Sequence, residues 1–501
     1  GVNTVANVFI NGKHTAEHRG GYTAFTVDIT DRVKYGEKNK IMVRVNNALQ
    51  LDIMPLLGDF NMYGGIYRDV DLIVTEPEHV SLEDYGSNGV YLKQTNVSKD
   101  AAHVDATIRV KGTAGSKPVV SLKIMDDKKN VVARQEAVAE IDAQGNGTVV
   151  LPLDVKKPRL WNGVKDPYRY DVEVSVSKDG KVTDRVTDKI GFRYFHVDPD
   201  KGFFLNGEHL QLRGVCRHQD RAEIGNALAP LHHDDDMQIM LEMGVNAVRL
   251  AHYPQNEYTV RLAEKMGFLL WQEIPIWQGI DFTDNETRKK AQRMLSEMIR
   301  RDQNRCAVGY WGVANETQPS EERNKFLTSL LETGKQLDTT RLYVAAFDLV
   351  RFDSGKQRFV MEDSFTSQLD VVAINKYMGW YHPWPVEPKD AIWEVVTDKP
   401  LIISEFGGEA LYGQSGDENV VSSWSEEYQA RLYRDNIRMF DNIPNLRGVS
   451  PWILFDFRSP FRFHPTNQDG WNRKGLISDQ GMRKKAWYLV RDYYMKRRNN
   501  Q

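Results

Sequence analysis

The first half of the chain alternates apolar and polar residues with a period of two. Residues 104–110 and 168–176 show this alternation most clearly. It is typical of antiparallel strands that bury one face and expose the other. A short apolar run ends at Asn11-Gly12, a dipeptide that favours a tight hairpin because both residues tolerate positive φ. We therefore predict two β-domains, at 1–77 and 78–195.

From about residue 198 onward, short apolar runs are separated by amphipathic helices. One predicted helix begins at the capping box Thr283-x-x-Glu286, and another at Ser423-x-x-Glu426. The strand-sized apolar runs are 210–215, 245–250, 268–271, 308–313, 342–346, 371–374, 401–403 and 448–454. Eight strands that alternate with helices predict a TIM (β/α)8 barrel over 196–501. The alternative is an open doubly wound sheet, but its glycine-rich fingerprint is missing after the first strand.

Composition narrows the class of protein. The net charge is −3 with acids and bases interspersed, so we expect no nucleic-acid partner. No apolar run approaches the roughly 20 residues that a membrane span needs. The only cysteines are Cys216 and Cys306, which excludes a disulfide framework, and we expect neither a metal nor a cofactor. The chain opens at Gly1 within a strand pattern, so we expect the first domain to be incomplete.

Polar residues cluster where the predicted barrel strands end. The carboxyl ends of the strands carry the functional groups of a TIM barrel. Glu316 follows the fourth predicted strand, and Glu405 follows the seventh. Cleavage of an acetal needs a proton donor on the leaving oxygen and a second carboxylate across the ring, which such a pair can supply. A single glutamate at a strand end is more often solvated or salt-bridged, so spacing alone does not select these two.

Two sequence motifs surround these glutamates. They are Trp311-Gly312-Val313-Ala314-Asn315-Glu316 and Ile402-Ile403-Ser404-Glu405-Phe406-Gly407. Both resemble motifs of glycoside hydrolase family 2, which includes β-galactosidases, β-glucuronidases and β-mannosidases. Residues 61–68 and 160–168 resemble its sugar-binding and immunoglobulin-like domains. The resemblance covers nearly the whole chain. It implies a jelly-roll β-sandwich, an immunoglobulin-like β-sandwich and a catalytic TIM barrel.

The resemblance also implies roles for individual residues. Glu316 would be the general acid/base and Glu405 the nucleophile of a retaining exo-β-glycosidase. Asn315 would hydrogen-bond the sugar 2-hydroxyl, and Tyr377 would position the nucleophile. Arg249 is expected to hold the nucleophile ionised through charge and hydrogen bonding. The remaining residues implied at the sugar subsite are Asp59, His252 and Trp452, with Asn375 in support.

The sequence after the eighth predicted strand bears on the identity of the sugar. Trp471-Asn472-Arg473-Lys474-Gly475 resembles the Asn-x-Lys motif with which β-glucuronidases hold a uronic-acid carboxylate. Asn472 and Lys474 both supply donors, whereas a carboxylate only accepts. Some glucuronidases carry an arginine four residues before this asparagine, where this chain has Gln468. The motif favours terminal β-D-glucuronides as substrates, with β-galacturonides and β-galactosides as alternatives.

The expected partner is therefore a carbohydrate or glycoconjugate. A carbohydrate-binding protein with an inactive barrel is the alternative of another class, and the presence of both Glu316 and Glu405 argues against it. The sequence leaves open whether the chain forms a homo-oligomer, since β-sandwich domains ahead of a barrel often serve assembly. The substrate class favours a periplasmic or extracellular location, although no export signal is visible in the sequence.

Overall fold

A computed structural model describes residues 1–395 and 397–499. The chain begins with a small antiparallel β-unit. Lys13–Arg19, Val5–Ile10 and Ile41–Asn46 form one sheet in that order, and Val2–Asn3 pairs with Gly65–Ile66. The predicted hairpin turns at Asn11 and Gly12, which have φ angles of 51° and 83°. These angles are the positive values that a two-residue hairpin loop needs.

Two antiparallel sheets form the next β-region. One has the strand order Val131–Val138, Val119–Met125, Tyr170–Lys178 and Lys181–Ile190. The other contains Asn146–Lys156, Ala101–Lys111, His79–Val80 and Val90–Thr95. Every second residue from Ala102 to Val110 is at most 1% exposed, which confirms the predicted alternation. The inner faces of the two sheets share one apolar core, as in an immunoglobulin-like sandwich.

A closed barrel of eight parallel strands occupies the C-terminal part of the chain. Strands one to eight are Leu212–Arg217, Ala247–Leu250, Leu269–Glu273, Val308–Asn315, Leu342–Phe347, Val371–Asn375, Leu401–Glu405 and Leu446–Val449. A small sheet of Phe195–Asp198, Gly202–Leu205 and Glu208–Leu210 precedes them. From this sheet, Phe203 packs against barrel-core residues such as Tyr310. The predicted TIM barrel is confirmed.

The helices around the barrel are less regular than its strands. The six α-helices of the described residues are Pro230–Glu242, Glu257–Met266, Asn285–Asp302, Glu321–Leu337, Glu426–Phe440 and Lys485–Asn499. They follow strands one to four, seven and eight. After the fifth and sixth strands, the described chain forms a small sheet of Val350–Asp353, Arg358–Met361 and Trp393–Val395. This sheet stands where a regular (β/α)8 barrel has its fifth and sixth helices.

Both helix starts predicted from capping boxes are slightly too early. Asp284, rather than Thr283, caps the third helix, and its carboxylate accepts the N–H of Thr287 at 2.8 Å. Ser425, rather than Ser423, caps the fifth helix. In each case two neighbouring side-chain oxygens can accept hydrogen bonds from the same unpaired N–H groups, and the better placed oxygen caps the helix.

Two further observations concern the expectations from composition. Within residues 1–395 and 397–499, no helix combines the length and apolarity needed to cross a bilayer. Cys216 and Cys306 are both buried and carry free thiols. The Cys216 thiol donates to the carbonyl oxygen of Ser404 at 3.1 Å, so it links the first barrel strand to the seventh.

Gly267 lies where the barrel touches the immunoglobulin-like region. It ends the second helix with φ at 89°, and a Cβ atom there would lie 2.3 Å from the carbonyl oxygen of Gly163. Replacing Gly267 with alanine adds left-handed strain and overpacking, together about 2–4 kcal/mol. We expect a lower midpoint of thermal unfolding by circular dichroism.

Gly12→Ala is the matched control for this variant. Its φ of 83° is similar, but nothing lies within 4 Å of the added Cβ atom. Only backbone strain of about 1–2 kcal/mol remains. Equal losses of stability in the two variants would show that the close contact with Gly163 does not contribute to the destabilisation of Gly267→Ala.

Candidate active site

Two glutamates meet at the carboxyl end of the barrel. Glu405 is the last residue of the seventh strand, and Glu316 follows Asn315, the last residue of the fourth. Asn375 ends the sixth strand and pairs with Glu405 in register. Its Nδ2 atom donates to Oε1 of Glu316 at 2.8 Å. One amide side chain therefore connects the strand that carries Glu405 to the carboxyl group of Glu316.

Glu405 receives one strong donor on each oxygen. Arg249 Nη1 donates to Oε1 at 2.6 Å, and the Tyr377 hydroxyl donates to Oε2 at 2.6 Å. Burial and the Glu405 charge raise the pKa of Tyr377 well above its ordinary value, so the phenol keeps its proton and acts as the donor. These contacts fix the direction of the carboxylate and stabilise its negative charge.

Glu316 has a different environment. Among the residues that the structure describes, its side chain accepts only from neutral donors, which are Asn375 and Trp277 Nε1, the latter 3.2 Å from Oε2. Burial, followed by the charge of Glu405, raises the pKa of Glu316 to about 8. Glu316 also has a φ of 50°, a left-handed backbone that is uncommon outside glycine and frequent at functional sites. At neutral pH Glu316 therefore carries a proton that it can donate.

Arg249 is the hub of the site. Its Nε and Nη2 atoms donate to the two oxygens of Glu273 at 3.0 and 2.9 Å, while Nη1 binds Glu405. The guanidinium lies 4.6 Å above the ring of Trp271. Burial opposes its charge, but Glu273 and Glu405 raise the pKa of Arg249 above its ordinary value. A buried cation with two carboxylates is thus fully compensated.

Asn315 offers an unused donor. Its Oδ1 atom accepts from Arg249 Nη2 at 2.8 Å and from Asn375 Nδ2 at 3.0 Å. These two bonds fix the orientation of the amide, and its buried Nδ2 atom has no partner among the described residues. A buried donor without a partner is costly unless a ligand or water satisfies it. The amide is therefore preset to bind an oxygen atom that is absent from the protein itself.

Aromatic rings form a wall beside Glu405. His252 contacts Glu273 Oε1 through Nδ1 at 2.7 Å, and its Nε2 atom lies 3.9 Å from Glu405 Oε1. Trp452, after the eighth strand, stacks on His252 with ring centroids 4.9 Å apart. Because the His252 ring is held between Glu273 and Trp452, this wall is rigid and apolar over much of its area.

Asn472 and Lys474 lie close to the carboxylate pair. Lys474 Nζ lies 2.6 Å from the Tyr381 hydroxyl and 5.6 Å from the ring centroid of Tyr377, the residue that binds Glu405. Its backbone N–H donates to Oδ1 of Asn472 at 3.1 Å, so the two residues are mutually positioned. Lys474 is 1% exposed. The structure therefore places the Asn-x-Lys segment beside Tyr377, the residue that donates to Glu405.

Asp59 reaches this pocket from the N-terminal β-unit. Its carboxylate accepts from Asn472 Nδ2 at 3.0 Å, from Arg462 Nε and from the hydroxyl of Ser459. Burial opposes ionisation, but the hydrogen bonds and charge of Arg462, with the charge of Lys474, hold the pKa of Asp59 below its ordinary value. Asp59 therefore links the N-terminal β-unit to Asn472 and to loop 459–470.

Profiles of a single family match almost the whole chain. Residues 1–77 match the family 2 "sugar binding domain", 89–193 match "Glycosyl hydrolases family 2", and 197–498 match its "TIM barrel domain". The chain belongs to glycosyl hydrolase family 2. The family resemblance of the motifs at Glu316 and Glu405 is thereby confirmed.

Relatives of this family 2 chain carry two kinds of name. A beta-glucuronidase of Bacteroides fragilis is 41% identical over 98% of this chain and 71% of its own length. A beta-galactosidase of Thermoanaerobacter pseudethanolicus is 29% identical over 92% of this chain and 58% of its own. The solved Bacteroides uniformis beta-glucuronidase 2, covalently bound to cyclophellitol-6-carboxylate aziridine, has a TM-score of 0.86 at 28% identity. That match covers 99% of this chain and 60% of the solved one.

Four residues that contact this family 2 site carry little sequence signal: Trp277, Tyr381, Glu409 and Arg462. Trp277 and Glu409 each lie four residues beyond a barrel strand, so a wider scan of the loops after each strand finds them. Tyr381 and Arg462 lie in longer loops, and only three-dimensional contacts identify them. Within the described part of the chain, no group of three or more His, Cys, Asp or Glu residues is placed to hold a metal ion.

The raised pKa of Glu316 depends partly on its neighbour. Replacing Glu405 with glutamine removes a like charge, so we expect the pKa of Glu316 to fall from about 8 toward the ordinary range of a glutamate. Carboxyl-labelled NMR measures this, with the Glu316 signal assigned by its loss in Glu316→Gln. Asp348→Asn removes a weaker neighbouring charge and should lower the pKa less. An unchanged pKa in Glu405→Gln would mean that the charge of Glu405 does not contribute to the shift.

Proposed function

We propose that this glycoside hydrolase removes terminal β-D-glucuronic acid with retention of configuration, using Glu316 as acid/base and Glu405 as nucleophile. The observation that carries the proposal is the contrast between the two glutamates. Glu405 is an oriented carboxylate held by a guanidinium, whereas Glu316 is a protonated carboxyl group with neutral donors. A double-displacement glycosidase needs one carboxyl group in each state at the start of its cycle.

In the first half-reaction, a Glu405 oxygen attacks the anomeric carbon. The bond to the glycosidic oxygen breaks, and Glu316 gives that oxygen its proton, so the aglycone leaves as a neutral alcohol. The sugar is then joined to Glu405 as an ester. Tyr377 and Arg249 direct the attacking carboxylate, since each holds one of its oxygens.

The second half-reaction reverses the roles of the glutamates. The ester has removed the negative charge of Glu405, which is one of the two main causes of the raised pKa of Glu316. The now ionised Glu316 is therefore stabilised as it waits to accept a proton from water. The water oxygen bonds to the anomeric carbon, and the ester bond to Glu405 breaks. The carboxylate and the protonated Glu316 are regenerated.

The unused amide of Asn315 fits the sugar 2-hydroxyl. Its Nδ2 atom has no protein partner, while its Oδ1 atom is held on two sides. Hydrogen bonds that involve the 2-hydroxyl group are among those that strengthen as the oxocarbenium-like transition state forms. Asn315 thus stabilises the transition state more than the bound substrate.

Lys474 and Asn472 support a uronic acid as the sugar. Lys474 is a buried ammonium whose partners include the Tyr381 hydroxyl, close to the carboxylate pair. The solved Bacteroides uniformis beta-glucuronidase 2 binds cyclophellitol-6-carboxylate aziridine covalently. The 6-carboxylate of that ligand is the kind of negative group that Lys474 and Asn472 would accept. The same two donors suit a β-D-galacturonide, which differs from the glucuronide at C4. A neutral β-galactoside leaves the ammonium without a carboxylate partner from the sugar.

Alanine at each glutamate, with azide added, separates the two catalytic roles. In Glu405→Ala, azide attacks a β-glucuronide directly and gives the α-glucuronyl azide. In Glu316→Ala, azide attacks the glycosyl-enzyme formed from a dinitrophenyl glucuronide and gives the β-azide. Without azide, we expect Glu405→Ala to lose about 10⁴-fold or more in kcat. NMR of the products identifies the anomers, and exchanged anomers would reverse the assignment.

Lys474→Met tests the recognition of the uronate. The substrates are the 4-nitrophenyl β-glucuronide, β-glucoside, β-galacturonide and β-galactoside, so that each uronide is paired with its hexoside. Loss of a charge-assisted hydrogen bond should lower kcat/KM about tenfold to a hundredfold for the preferred uronide and spare the matched hexoside.

Lys485→Ala is the control for Lys474→Met, because Lys485 pairs with Glu427 at the surface. It should leave all four rates unchanged. A galactoside as the best substrate, together with no effect of Lys474→Met, would exclude uronide specificity. The carboxylate mechanism would still stand in that case.

A further inference from the structure

A second cation lies beside Lys474. Arg462 belongs to loop 459–470, and only 18% of its side chain is exposed. It donates from Nη2 to the Tyr381 hydroxyl at 2.6 Å and from Nη1 to Glu409 Oε1 at 3.2 Å. Lys474 Nζ binds the same two oxygens at 2.6 and 3.3 Å. The two cations are therefore neighbours that share both of these partners.

The carboxylates next to these cations already have their donors. Besides the two cations, Glu409 accepts from Gln468 Nε2 at 3.1 and 3.0 Å and from the Arg473 backbone N–H at 3.0 Å. Asp59 is occupied in the same way by its three contacts described above. Both acids thus balance the charge of the cations. They have little capacity left to accept further hydrogen bonds.

Unused hydrogen-bond donors remain on Tyr381, Lys474 and Arg462. The Tyr381 hydroxyl accepts from both cations, so its own proton is available for a ligand. An ammonium has three N–H groups and a guanidinium has five, and the contacts above leave one on Lys474 Nζ and one on Arg462 Nη1. A carboxylate accepts without donating, so it matches this surplus. A neutral CH2OH group brings a proton of its own and matches it less well.

Gln468 and Arg462 contact the same carboxylate, that of Glu409. Gln468 stands four residues before Asn472, where some glucuronidases carry an arginine. Its amide is occupied with Glu409. Arg462 lies six residues earlier and places its guanidinium against the same carboxylate. A neutral amide at position 468 and a cation at position 462 therefore share one carboxylate.

We propose that Arg462 and Tyr381, together with Lys474, form the binding site for the C6 carboxylate of the substrate. This inference rests on the glucuronidase function proposed above and deepens it. The competing role for Arg462 is structural, since it also ties Asp59 to the barrel. A structural role would affect all substrates alike, whereas carboxylate binding affects the uronide selectively. The ratio of the two rates therefore separates the two roles.

The test is the ratio of kcat/KM for 4-nitrophenyl β-D-glucuronide to that for 4-nitrophenyl β-D-glucoside, which differ only at C6. Arg462→Gln should lower this ratio about tenfold to a hundredfold, because a charge-assisted bond is lost. Tyr381→Phe removes a hydroxyl and no charge, so it disturbs folding little. It should lower the ratio roughly three- to tenfold.

Arg458→Gln is the matched control. Arg458 precedes the same loop, stacks on Trp471 at 4.1 Å and donates to the carbonyl oxygen of Asp469. Among the described residues, Arg458 forms no hydrogen bond or ion pair with the carboxylates that hold Arg462, so the ratio of the Arg458→Gln variant should equal that of the parent chain. Thermal unfolding of all the variants separates loss of fold from loss of recognition.

The outcomes distinguish this inference from the proposed function. A parent chain that prefers the glucuronide, with lower ratios in Arg462→Gln and Tyr381→Phe alone, supports the inference. If the parent prefers the glucuronide but both variants keep its ratio, the inference fails and the proposed function survives. If the parent shows no preference for the glucuronide, the proposed function fails, and the inference fails with it.

Discussion

The buried charge of Arg249 is the constraint on which the active end of the barrel depends. Arg249 ends no strand itself, yet it contacts Glu273, Asn315 and Glu405, which come from the third, fourth and seventh strands. Breaking a buried pair of this kind costs about 3–5 kcal/mol, because the remaining charge is left without compensation. The strand ends are therefore held in register by one guanidinium as well as by the barrel backbone.

Around this fixed cation, two residues of the same type acquire opposite properties. Glu405 lies against the guanidinium, whereas Glu316 lies on the far side of Asn375 and sees mainly burial and the negative charge of Glu405. No special residue type is needed for the difference. It follows from the donors around each carboxyl group, a guanidinium at Glu405 and neutral donors at Glu316.

Local sequence patterns predict the structural features that depend on residues close together in the chain. Short apolar runs identify all eight barrel strands, because burial on both faces leaves a continuous apolar signature. The two helix caps were each misplaced, because Asp284 and Ser425 compete with nearby oxygens in three dimensions. Motifs locate Glu316 and Lys474. Arg462 reaches the same pocket from an irregular loop, and no periodicity or spacing rule reports such a contact.

The contact between Asp59 and Arg462 joins separate folding regions. Asp59 belongs to the N-terminal β-unit, whereas Arg462 and Asn472 belong to loops at the top of the barrel. The cluster of charges around Arg462 is thus composite, and neither region supplies all of it alone. Recombination between family members that exchanged only the barrel would inherit Arg462 with its partner Glu409 but without its second counter-ion, Asp59.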